Sequence, residues 1–126
     1  INLKLKNPSK IINYDKITEL SEIKKWDKQK YDTIVFCQSA YMLSKNELSL
    51  ILRKIKKMNL NIEIIVAFST RSFLNKFMGK ILGHGDAYTG LKLSPKTEEQ
   101  LFLSKCYIVK KINFLNLYKV FVLKFK

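Results

Sequence analysis

The chain is predicted to fold as an α/β protein with a mostly parallel sheet that ends in an antiparallel hairpin. Three observations carry this expectation. Two short apolar runs, residues 33–37 and 62–68, are separated by a helical pattern, which is the spacing of a parallel strand–helix–strand crossover. Two more apolar runs, 107–114 and 117–125, are joined only by Leu115 and Asn116, so they must be antiparallel neighbours. Apolar residues make up 47% of the 126, which excludes a disordered chain and is enough for one domain with one core. Residues 1–126 are therefore read as a single domain.

Taken in order, residues 1–7 alternate Leu3 and Leu5 with Lys4 and Lys6 until Pro8 breaks the pattern. They read as an edge strand, or as the remnant of an element cut upstream. Residues 10–14 form a short strand candidate with Asp15 at its end, and Ile17, Leu20 and Ile23 give a loose helical turn or two. The run 33–37 is short, β-branched and not alternating, so it reads as a strand buried on both faces. Ser44 and Glu47 stand three apart before a helical pattern and predict a capping box. Leu48, Ile51, Leu52 and Ile55 follow at helical spacing, and Lys54, Lys56 and Lys57 put positive charge at the helix's negative end.

Asn59 and Asn61 then mark a turn, where either residue suits the left-handed conformation many helix ends use. After the strand 62–68, the residues Phe73, Leu74, Phe77, Met78, Ile81 and Leu82 predict an amphipathic helix, ended by Gly83-His84-Gly85-Asp86. Ser94-Pro95 opens another helix, because proline is tolerated in a first turn, and Thr97, Glu98 and Glu99 suit its positive end.

The net charge of +14, from 24 Lys+Arg against 10 Asp+Glu, reads either as a solvated Lys-rich surface or as a site for nucleic acid or anionic lipid. Arg occurs only at 53 and 71, however, and Arg rather than Lys is the residue favoured for bidentate phosphate contacts. Cys37 and Cys106 fall on separate apolar segments and read as two buried thiols in a reducing compartment. No apolar run nears the roughly 20 residues needed to span a bilayer, and no signal peptide opens the chain, so a cytoplasmic protein without a membrane partner is expected. A start at Ile1 reads as a fragment or a processed product. No P-loop, CxxC pair or Ser/His/Asp order is present, and one His with two separated Cys makes no metal set.

The element order, with these residues, resembles the C-terminal two-thirds of a class I S-adenosylmethionine-dependent methyltransferase. The likeness runs from about Lys10 to Lys126 and implies an incomplete Rossmann-like methyltransferase fold. Ile11-Ile12-Asn13-Tyr14-Asp15-Lys16-Ile17 looks like the family's third strand and the acidic residue after it, which lies near the adenine. Tyr31-Asp32-Thr33-Ile34-Val35-Phe36-Cys37-Gln38-Ser39 looks like the fourth strand, whose following residues line the cofactor and the transferred methyl. Residues 62–68 look like the fifth strand, and 107–125 like the sixth and the antiparallel seventh.

By resemblance, then, Asp15, Lys16, Ile17, Cys37, Gln38 and Ser39 contact S-adenosylmethionine, while Tyr41 and Met42 bound the substrate side. Any pocket is expected over 37–42. His84 with Asp86 is the candidate base for the acceptor's proton. The implied reaction is methyl transfer to an unidentified acceptor. Against the pattern, no glycine follows a strand, so the glycine-rich loop that admits the cofactor's methionine end is absent, as is the acidic residue after strand two. Either a segment outside these residues or another chain supplies them, or the domain is a non-catalytic basic module for nucleic acid or a protein partner. A nucleotide-sugar or nicotinamide enzyme is a further rival, but it too would need a glycine-rich turn.

Overall fold

The computed structural model describes residues 25–28, 30–37, 39–69, 77, 81, 92–114 and 118–126. A 3-10 turn (Trp26–Lys28) leads to strand β1 (Thr33–Cys37) and a second 3-10 turn (Ala40–Met42). Helix α1 (Lys45–Met58), strand β2 (Glu63–Ser69), helix α2 (Pro95–Lys105) and strands β3 (Cys106–Phe114) and β4 (Tyr118–Phe125) follow. The protein is α/β, as its sequence predicts.

The four strands form one sheet in the order β1-β2-β4-β3. β1 and β2 are parallel, with Phe36 opposite Val66, which makes α1 the expected crossover. β4 runs antiparallel to both β2 and β3, so β3 shares the direction of β1 and β2 and only β4 opposes the rest. The short interval between Phe114 and Tyr118 dictates this hairpin, and the register slips once, at a bulge between Ile108 and Lys110.

Helix α1 starts where the side chains say it should. Ser44 Oγ accepts the Glu47 amide at 3.2 Å, and Glu47 Oε2 accepts the Ser44 amide at 2.7 Å. At α2, Ser44's counterpart is Ser94, whose hydroxyl accepts the Thr97 amide at 3.2 Å ahead of Pro95. At the α1–β2 turn the first of the two asparagines is not left-handed. Asn59 caps the helix in an extended conformation, φ −160°, and its Oδ1 accepts the Asn61 amide at 2.9 Å. The asparagine side chain thus turns the chain without a left-handed residue at that position.

The core lies between the two helices and one face of the sheet. Leu48, Leu52 and Ile55 from α1, and Leu101 and Phe102 from α2, meet Phe36, Ile64, Val66, Phe68, Phe121, Leu123 and Phe125. Phe102 is its hub, edge-on to Phe36 at 5.4 Å and to Phe68 at 5.8 Å. The other face of the sheet is covered less. β1 is not buried on both faces: Val35 is 59% exposed and only Phe36 is buried, because among the described residues helices pack on one face and β1 is an edge. β3 is the opposite edge, and Ile112 and Phe114 stay exposed on it. Within the predicted amphipathic helix, Phe77 and Ile81 have helical backbone but are exposed, and the rest of that segment lies outside the described residues.

Candidate functional site

The candidate site is built where β1 ends. In a parallel sheet the carboxyl ends of the strands open toward a ligand, and here Cys37 and Ala67 are paired at that end of β1 and β2. Cys37 is exposed rather than buried, since its position as an edge-strand terminus leaves it uncovered; it is a free thiol, as is Cys106. Ser39 follows, also exposed, with φ −121° and ψ −21°, and its carbonyl accepts the Met42 amide at 3.2 Å. That bond winds the 3-10 turn and drives Ala40 into the core, fully buried. A larger side chain at 40 would meet the core, so the small residue is what lets the chain turn so close to the strand.

Tyr41 and Met42 then diverge. Tyr41 is half-buried, and its carbonyl accepts the amides of Lys92 and Leu93 at 3.1 and 3.2 Å, which brings the approach to α2 beside the site. Met42 is 47% exposed. The structure therefore gathers Cys37, Ser39, Tyr41 and Met42 at one sheet end. Gln38 lies outside the described residues, as do Asp15, Lys16, Ile17, His84 and Asp86.

The start of α1 faces this end, and its capping box occupies the amides of Ser44 and Glu47.

Two open hollows are formed by described residues. One, about 400 Å³, lies beside Phe68, Pro95, Lys96, Glu99, Gln100, Leu103 and Lys119. The other, about 570 Å³, lies at the far end of α1, beside Arg53, Lys56, Lys57, Met58, Asn59 and Leu60. Neither is lined by residues 37–42. The first was not foreseen in the sequence, because Phe68 and Lys119 meet α2 only through the pairing of β2 with β4. Lys119 Nζ there sits 3.5 Å from Glu99 Oε2. Glu98, one residue before Glu99, is buried at the start of α2, a position composition had marked only as favourable to a helix N-terminus.

Among solved structures, the chain is similar to magnesium protoporphyrin IX methyltransferase (ChlM) from Synechocystis PCC 6803, determined with bound SAH. The match has TM-score 0.51 and 12% identity, over 82% of this chain and 49% of that one. The fold is that of a methyltransferase, in part. The chain spans about half the length of the structure it matches. No protein-family model matches the sequence, and no curated protein matches it. Among the described residues, no three His, Cys, Asp or Glu side chains cluster as a metal site, and no helix is long and apolar enough to cross a membrane.

Proposed function

We propose that the chain is part of an S-adenosylmethionine-dependent methyltransferase domain, transferring a methyl group to an unidentified acceptor. The sheet order, with β1 and β2 parallel and a single opposed strand β4 set between β2 and β3, carries this reading. The likeness to a methyltransferase structure with bound SAH supports it.

When bound, the cofactor supplies an electrophilic methyl on a sulfonium, open to in-line attack by an O, N or C nucleophile. The chain's own residues would hold and orient the partners. Cys37 and Ser39 offer exposed polar groups at the end of β1. Met42 gives an apolar rim on the acceptor side, and the Tyr41 carbonyl fixes the 92–93 segment next to it. Positioning of this kind is the larger share of what such a transfer needs. Asp15, Lys16 and Ile17 would complete the adenine side, and His84 with Asp86 would take the acceptor's proton. A glycine-rich loop for the methionine end would come from outside these 126 residues or from another chain.

The test is isothermal titration of the chain with S-adenosylmethionine and with S-adenosylhomocysteine. Saturable binding of both, each competing with the other, is expected. No heat with either at millimolar ligand, from this chain and from a longer one that carries a glycine-rich loop, overturns the catalytic reading and leaves the basic, non-catalytic module in its place.

A further inference from the structure

The end of the sheet opposite Cys37 is strongly basic, although lysines are spread along the whole sequence. Topology gathers them. α1 runs back along the sheet, so its last turn lies where β2 begins, and β4 opposes β2, so Lys126 emerges at the same end. Contacts tie the cluster together. Lys56 Nζ donates to the Lys126 carbonyl at 3.0 Å, and the Lys126 amide donates to the Lys105 carbonyl at 3.0 Å. Arg53 and Lys57, one helical turn apart and exposed, take part in no ion pair among the described residues; the nearby Asp27 is held by Lys54 at 3.3 Å.

A leucine stands in the middle of this charge. Leu60 is 61% exposed at the tip of the α1–β2 turn, while Ile62, two residues on, is fully buried. The turn is braced by the Asn59 side chain on the Asn61 amide, so Leu60 is presented on a fixed support. Arg53, Lys56, Lys57 and Met58 share the open hollow beside it. A projecting leucine gains nothing against a phosphodiester backbone, and no aromatic side chain lines the hollow for a base to stack on. A bilayer surface offers both complements at once, hydrocarbon for the leucine and anionic headgroups for the cations.

We propose that this end of the molecule docks on an anionic membrane surface, with Leu60 entering the acyl boundary and Arg53, Lys56 and Lys57 against lipid phosphates. The expectation of no membrane partner rests on the lack of a spanning run and of a signal peptide, neither of which bears on surface docking. The proposal is independent of the methyltransferase reading, since the basic end lies across the sheet from Cys37.

Flotation of the chain with phosphatidylcholine vesicles, with and without phosphatidylglycerol, tests it. Binding to the phosphatidylglycerol vesicles alone is expected, and it should weaken as salt rises. Leu60→Asn should lower affinity about tenfold, as lost leucine burial requires. The double variant R53Q/K57Q should lower it roughly 30-fold, about fivefold per charge. All three positions are exposed, and unchanged circular dichroism and melting would show the variants folded. No binding to the anionic vesicles overturns the proposal. So does binding that Leu60→Asn leaves unchanged, with equal retention on a DNA duplex, which would make this end a phosphate-backbone surface.

Discussion

The carbonyl of Tyr41 accepts the backbone amide of Leu93 at 3.2 Å, across fifty-two positions of sequence, and that of Lys92 at 3.1 Å. The turn after β1 and the approach to α2 are thereby one unit, and Leu93 seals it by burial. The amides of Lys92 and Leu93 should therefore exchange with deuterium as slowly as helix amides, despite lying in irregular chain. Leu93→Ala should destabilise the fold by about 2–3 kcal/mol in urea titration and speed exchange at both amides. Fast exchange in the unsubstituted protein would show that the tie does not hold in solution.

Ser44→Ala removes half of the capping box and should cost about 1 kcal/mol, while Ser44→Asp, which keeps an acceptor there, should cost much less. Urea midpoints compared at constant slope separate the two variants.

Phe102 touches Phe36 and Phe68, and Phe68 in turn meets Phe121 at 5.1 Å. Phe102 thus joins α2 to β1 and β2 directly, and to β4 through Phe68. Phe102→Ala should cost about 3–5 kcal/mol, a large part of the stability of any small domain, whereas Phe102→Leu should stay near 1 kcal/mol. Thermal melts of both variants check this, and equal melting would mean that the rings do not act as a hub.

The elements governed by local chemistry were legible in the sequence. The apolar run at 33–37 is strand β1, Ser44 with Glu47 is the capping box, and Ser94-Pro95 opens α2. What depended on neighbours was not. Val35 is as apolar as a core residue, but its exposure follows from β1's place in the sheet, which no local pattern states. Cys37 was misread as buried for the same reason. At the candidate site, Cys37, Ser39, Tyr41 and Met42 come together because they are close in sequence. The hollow at Phe68 and Lys119 and the basic end at Leu60 were hidden because strand pairing, not spacing, assembles them.

The two thiols should differ sharply. Burial pushes Cys106 up to about 11, against the opposing pull of Lys126, Lys56 and Lys105, while Cys37 is exposed. Below the ordinary thiol value of 9.0, Cys106 is protonated both folded and unfolded, so its contribution to stability is fully present. Between 9.0 and about 11 the unfolded chain releases the proton and the folded one keeps it, so stability should fall across that window. At neutral pH a thiol reagent should modify Cys37 quickly and Cys106 only on unfolding. Equal rates at the two positions would contradict the burial of Cys106.

Amide chemical shifts of the labelled chain, followed while S-adenosylhomocysteine is added, test most directly whether the end of β1 is a cofactor site. The largest shifts should fall on Cys37, Ser39 and Ala40, with the amides of α1's last turn and of Leu60 unmoved. Shifts centred on the Leu60 end, or none at saturating ligand, would contradict a methyltransferase site at the end of β1.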